Sequence, residues 1–153
     1  MGTLHTSEFA FDVNGISAYG MPFNPRVSNG ITGGSSSGSA AAVASNEIDC
    51  ALGTDTGGSI RIPAAFCGVW SLRPTRDAIS TAQVLPVGSR YDTVGIMANN
   101  ANLLLKLGRV LLPKLTQTEL PLQKIYVIKE ALDLCSNEIK LKLNQLEWLH
   151  WPF

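Results

Sequence analysis

At 153 residues the chain is long enough for one domain with a real core, since a domain of this size buries roughly 70% of the surface its unfolded form exposes. Charged residues make up 16% and the hydrophobic set 45%, which excludes a disordered chain. Lys+Arg and Asp+Glu are both 12, so no net field draws the chain to nucleic acid or to an anionic membrane surface, and neither is expected as a partner.

Residues 1–32 read as irregular, because Gly, Pro and Asn in "NGISAYGMPFNPRVSNG" interrupt every helical or strand period. The stretch is expected to be an ordered surface path with aromatic anchors. "SAAAVAS" (39–45) suits a short helix packed tightly on a sheet, with Ser36, Ser37 or Ser39 as its cap. "DCALGTDT" gives a brief strand, "IPAAFCG" a short helix and "VWSLRP" a second strand. This alternation points to an α/β layer structure. In "ANLLLKLGRVLL", Leu103, Leu104, Leu107, Val110 and Leu111 recur at helical spacing and predict one buried face. Residues 113–153 are expected to add a strand, "KIYVIKEA", and an amphipathic helix with Ile139, Leu143, Leu146 and Trp148 or Leu149 on its apolar side.

Cys50, Cys67 and Cys135 form no CxxC pair, which argues against a zinc site or a disulfide framework and suits a reducing compartment; a cytoplasmic location is the expectation. No stretch approaches the ~20 apolar residues that cross a bilayer, and Met1–Phe11 has no basic start followed by an apolar run.

The chemistry concentrates in two stretches, "GGSSSGS" (33–39) and "GTDTGGSIR" (53–61). A serine hydroxyl near its free pKa is a poor nucleophile until a base takes its proton. Neither His5 nor His150 has an Asp spaced to suggest a Ser-His-Asp set, and no GxSxG elbow occurs. "TDTGGS" offers instead consecutive backbone N–H groups, which two glycines allow to curl into one concavity fit for a developing oxyanion. A phosphate cradle is excluded, since GxxxxGK[ST] is absent and no lysine precedes Lys106.

The run "GGSSSGSAAAVASNEIDCALGTDTGGSIRIPAAFCGVWSLRPT", Gly33–Thr75, resembles the signature of the amidase signature family, serine hydrolases that cleave carboxamides with a Ser-Ser-Lys triad. Weaker similarity extends through "FNP" upstream and "YDTVG" downstream. The resemblance implies an amidase-signature α/β/α layered fold with a mixed sheet, of which residues 1–153 hold the central part and 33–75 the core. It places the nucleophile at Ser59 and the bridging serine at Ser35, which follows a cis peptide bond at Gly34-Ser35. The N–H groups of Thr56, Gly57, Gly58 and Ser59 would form the oxyanion hole, and Asp55, Arg61 and Ser36 would hold the two loops together. No metal or organic cofactor is implied. The substrate would be a small carboxamide, with an aryl acetamide suggested by similarity to indole-acetamide hydrolases.

The chain departs from the family in one respect that bears on chemistry. The family's lysine base lies upstream of the serine loop, in a segment for which this chain has no room, and the family's long C-terminal portion is also missing. The expectation is therefore the middle of an amidase: a truncated product, one piece of a split enzyme that pairs with the missing N- and C-terminal segments or with a second copy, or a silent domain used for binding or scaffolding. A glutamyl-tRNA amidotransferase subunit is a further alternative, disfavoured because Ile62 stands where such subunits carry Gln.

Overall fold

The computed structural model describes residues 2–112 and 128–145, and the chain divides into two compact units, Met1–Leu115 and Thr116–Phe153.

In the first unit, α1 (Ser37–Ala44), β1 (Cys50–Asp55), α2 (Arg61–Cys67), β2 (Trp70–Leu72), β3 (Thr93–Ala98) and α3 (Ala101–Leu111) follow in order. The sheet order is β1-β3-β2. β3 is antiparallel to both neighbours, pairing Cys50 with Ala98 and Asp55 with Thr93 on one side, and Leu72 with Ile96 on the other. β1 and β2 therefore run in the same direction, joined through α2, yet never pair because β3 lies between them. Among the described residues the expected mixed sheet is thus represented by antiparallel pairs alone, with helices packed on it.

β3 is the element that the sequence reading lacks. "TVGIMA" is buried along nearly its whole length, so it shows no polar alternation, and Gly95 and Met97 dilute its β-branched character. The other expected elements of this unit are present. Tight packing of the small-residue helix α1 follows from Ala40 and Val43, both fully buried in a cluster with Ala44, Ala51, Ile60, Cys67 and Met97. Burying a side chain the size of Ile60 stabilises by about 1.5–3 kcal/mol. In α2, Pro63 falls in the first turn, where its missing N–H costs nothing, and Gly68 ends the helix in the left-handed region at φ +63.

Glycines face each other across the β1–β3 pair, Gly53 opposite Gly95. A Cβ on Gly53 would lie 2.7 Å from Ser36 Oγ, and one on Gly95 would lie 2.6 Å from Ile60 Cδ1 and 2.4 Å from the Leu72 carbonyl oxygen. The bare backbone at this pair lets Ser36 and Ile60 reach down to the sheet.

Three expectations need correction. Residues 2–36 do form an ordered path, with a short turn at Glu8–Ala10, but its aromatics point outward: Phe9, Phe11 and Tyr19 are 88%, 81% and 94% exposed. Polar groups anchor it. Asn24, buried, donates to the carbonyls of Ile31 and Phe66 at 2.7 and 3.1 Å and accepts from the amide of Arg26 at 2.9 Å. The inward face of α3 follows the predicted stripe at Leu103, Leu104, Leu107 and Leu111, all half-buried, but not at Val110, which is 74% exposed, and Gly108 is the buried residue of this helix.

The third correction falls in the second unit, where α4 (Lys129–Asp133) and α5 (Asn137–Asn144) are separated by Ser136, whose hydroxyl accepts from the amide of Ile139 at 3.4 Å. The predicted strand "KIYVIKEA" lies partly outside the described residues, and its end, Lys129–Ala131, is helical, as the helix formers Lys, Glu, Ala and Leu favour. Leu146, Trp148 and Leu149 lie outside the described residues. Among the described residues no helix is long and apolar enough to cross a membrane.

Candidate active site

The serine loop, Gly33–Ser39, leads into α1 and is buried throughout. The peptide bond Gly34-Ser35 is cis. Gly34 must be glycine because the N-terminal path crosses over it: a Cβ would lie 2.1 Å from the carbonyl oxygen of Asp12 and 2.8 Å from the amide nitrogen of Gly15. The Gly34 amide donates to the Val13 carbonyl at 2.8 Å, and Thr6 Oγ1 donates to the Ser35 carbonyl at 2.9 Å.

Each serine hydroxyl of the loop has a different fate. Ser36 occupies the cap position of α1 without capping it, because its Oγ donates to the Thr54 carbonyl at 3.3 Å and accepts from the Thr54 amide at 3.4 Å. Ser37 Oγ bonds His5 Nδ1 at 2.9 Å, while His5 Nε2 bonds Ser17 Oγ at 2.7 Å. Ser39 Oγ donates to the Leu52 carbonyl at 2.8 Å. Ser35 is 1% exposed, and its Oγ has no hydrogen-bond partner among the described residues. An unpaired buried hydroxyl costs about 1–3 kcal/mol.

The second loop follows β1. Asp55 is fully buried at its head, and its carboxylate gathers the amides of Gly58 at 2.9 Å, Ile60 at 3.2 Å and Arg61 at 3.4 Å. The Arg61 guanidinium adds a bidentate pair, Nε and Nη2 each at 3.0 Å, and Arg73 Nε lies 3.3 Å away as an ion pair without hydrogen-bond geometry. Burial pushes the Asp55 carboxyl pKa up, but the Arg61 bonds and the Ile60 amide outweigh it and hold the group below its ordinary range. The five donors wrap residues 55–61 into a tight turn. Gly58 adopts φ +134, and a Cβ there would meet Ile62 Cδ1 at 2.7 Å, whereas a Cβ on Gly57 would meet nothing within 4 Å.

The two loops meet through backbone: the Ser36 amide donates to the Ser59 carbonyl at 3.1 Å. Ser35 and Ser59 are thereby held on adjoining turns, and Ser59 is half-buried. Asp55 and Arg61 brace the second turn from within, while the contact between turns falls to Ser36. Of the four amides expected to face an oxyanion, that of Gly58 is already committed to Asp55.

Sequence reasoning missed four participants. His5 and Thr6 clamp the serine loop from the N-terminal path, Arg73 reaches Asp55 from beyond β2, and Asp92 accepts from the Thr56 hydroxyl. Each pairs across a separation that no local pattern reveals. A separate cavity of about 750 Å³ between β2 and α3, lined by Trp70, Leu72, Arg73, Leu104, Gly108 and Leu112 among others, includes no residue of either loop.

One turn is rich in serine and buried, and the adjoining one is rich in backbone amides and partly open at Thr56, Gly57 and Ser59. A family model described as Amidase matches residues 1–127, and the chain belongs to the amidase family. Amidase 1 of Oryza sativa subsp. japonica is 46% identical over 114 residues, 74% of this chain and 26% of that protein. Indoleacetamide hydrolase of Pseudomonas syringae pv. syringae is 48% identical over 101 residues, 65% of this chain and 23% of that protein. The structure of 6-aminohexanoate cyclic dimer hydrolase complexed with substrate superposes with a TM-score of 0.68 at 34% identity, covering 72% of this chain and 24% of the hydrolase. The chain therefore spans about a quarter of the length of the relatives it matches.

Proposed function

We propose that this chain carries the nucleophile and oxyanion portion of an amidase that hydrolyses a small carboxamide to a carboxylate and ammonia. The observation that supports it is the Ser36–Ser59 backbone contact, which sets the buried, partnerless Ser35 hydroxyl beside the turn that bears Ser59. Ser59 Oγ attacks the amide carbon and loses its proton through Ser35 to a base. The carbonyl electron pair moves onto oxygen, where the amides of Thr56, Gly57 and Ser59 stabilise it; each such donor is worth about 10²–10³ in rate. The open space over Gly57 leaves room for the substrate carbonyl. Collapse expels the nitrogen, protonated by the returning proton, as ammonia, and water releases the acyl group by the same path.

The base comes from outside this chain's described residues. His5 does not serve, because its ring nitrogens end on Ser37 and Ser17 and Ser35 Oγ has no partner. While that base is not engaged the chain is a very slow amidase, and a further amidase segment or a second copy would complete it. A reducing, cytoplasmic setting and an aryl acetamide substrate fit the free cysteines and the likeness to the Pseudomonas enzyme. The second reading, a silent amidase-like domain for binding, is favoured by the same lack of a partner at Ser35.

A fluorophosphonate probe separates the two. Labelling that maps to Ser59 and vanishes in Ser59→Ala, in the chain alone or once a lysine-bearing amidase segment is supplied, supports the amidase reading; a folded sample that takes no label in either state supports the silent domain. Turnover of indole acetamide by the chain alone, lost in Ser59→Ala, would refute the statement that the base lies elsewhere.

A further inference from the structure

We propose that Asp92 is a positioning residue that fastens the loop Val84–Tyr91 onto Thr56 and so holds the amide-bearing turn in place. The inference rests on reading Thr56–Ser59 as the oxyanion turn. It begins from the sheet register: Asp55 pairs with Thr93 at the last rung of β1 and β3, so Thr56 and Asp92 come next, just past the ladder's end. There, where strand hydrogen bonds stop, a side-chain bond takes over. Asp92 Oδ1 accepts from Thr56 Oγ1, across 36 residues of sequence.

The same carboxylate gathers the loop. The Val87 amide donates to Oδ2 at 2.9 Å, and the Gly88 amide reaches both oxygens at 3.0 Å. The amides of Tyr91 and Asp92 return to the Gly88 carbonyl at 2.7 and 3.0 Å, closing the loop on itself. Gly88 rests against Thr56, where a Cβ would lie 3.2 Å from Thr56 Cγ2. Burial pushes the Asp92 carboxyl pKa up, but the Thr56 hydroxyl and the loop amides outweigh it and hold the group below its ordinary range, so it is ionised at neutral pH and its bonds are the stronger, charge-assisted kind. Thr56 is thus pinned at both ends: its backbone follows β1, and its hydroxyl is tied to a loop that lies outside the family's serine-rich signature.

The test is amide hydrogen exchange on the full chain, compared between peptides covering 53–60 and 84–92 and those covering α1. Asp92→Asn and Thr56→Val are each expected to speed exchange about tenfold in both segments, as loss of a local clamp does. Thr56→Ser, which keeps the hydroxyl, is expected to retain wild-type exchange, and the double variant Asp92→Asn/Thr56→Val to add little to either single one, since both remove one interaction. Unchanged exchange at 53–60 in Asp92→Asn overturns the proposal. A rise spread equally over α1 overturns it too, because Asp92 would then hold the fold and not the turn. Exchange needs no turnover, so a chain that proves silent at Ser59 still shows whether Asp92 holds the turn.

Discussion

Replacing Asp55 by Asn removes the charge at the head of the second turn while keeping its shape. The wild-type carboxylate satisfies the amides of Gly58 and Ile60 inside the protein and the Arg61 side chain at its edge, with Arg73 beside it as an ion pair. Arg61 is 56% exposed and regains water when its partner is lost, so its share is small. The main cost is at the amides. An Asn presents one oxygen and one NH₂ group, and the NH₂ group faces at least one N–H; a buried donor left unpaired costs about 1–3 kcal/mol. With a weaker contribution from Arg73, the sum is about 3 kcal/mol, which for a chain of this length lowers Tm by about 6–12 °C. The pH dependence fixes the cause. The folded Asp55 carboxyl lies below its unfolded value of about 3.9, so its stabilisation is complete above that pH and is lost as pH falls through the folded pKa. Calorimetry of wild type and Asp55→Asn should show a constant gap from about pH 5 to 8 that narrows below about pH 4. A gap under about 1 °C, or one that persists unchanged into acid, refutes the reasoning.

The serine loop gives a paired test: Gly34→Ala, which forces a Cβ to 2.1 Å from the Asp12 carbonyl, should lose more than about 2 kcal/mol or fail to fold, whereas Gly57→Ala, with open space around it, should stay within about 0.5 kcal/mol by urea denaturation. Burial pushes the Cys67 thiol up to about 11, so at pH 8 a disulfide reagent should modify half-buried Cys50 and Cys135 and leave Cys67 untouched until denaturant is added. Three fast thiols in the native chain would contradict its burial. His5→Ala should cost about 1–2 kcal/mol and speed proteolysis between residues 5 and 20, since His5 ties Ser17 to Ser37. Unaltered cleavage there would mean the clamp is dispensable.

What the sequence disclosed follows from the range of its signals. Short helices and strands announced by small residues and glycine turns, such as α1, β1 and α2, lie where local composition puts them. The almost wholly buried β3 does not, because a strand covered on both faces along most of its length has no alternation to read. At the site, serines and glycines spaced 24 residues apart were legible through family likeness, as 59 less 35 shows. Arg73 and Asp92 were not, since their partners Asp55 and Thr56 are reached through strand register, and register is set by tertiary packing. The aromatic residues of the N-terminal path misled for a related reason: apolar character argues for burial, but which side of an irregular segment meets the core is decided by its polar anchors, here His5 and Asn24.

The glycine pair at Gly53 and Gly95 makes the sheet a mould for the turns above it. Two positions with no side chain, no charge and no reach toward a substrate set how deeply Ser36 and Ile60 sink, and those two residues flank Ser35 and Ser59 in the chain. Tolerance to substitution should therefore be lowest in the middle of β1 and β3, at residues that a search for reactive groups would pass over. An added methyl there lifts both serine-bearing turns from beneath, so a defect born in the floor of the sheet would present itself as a defect of chemistry.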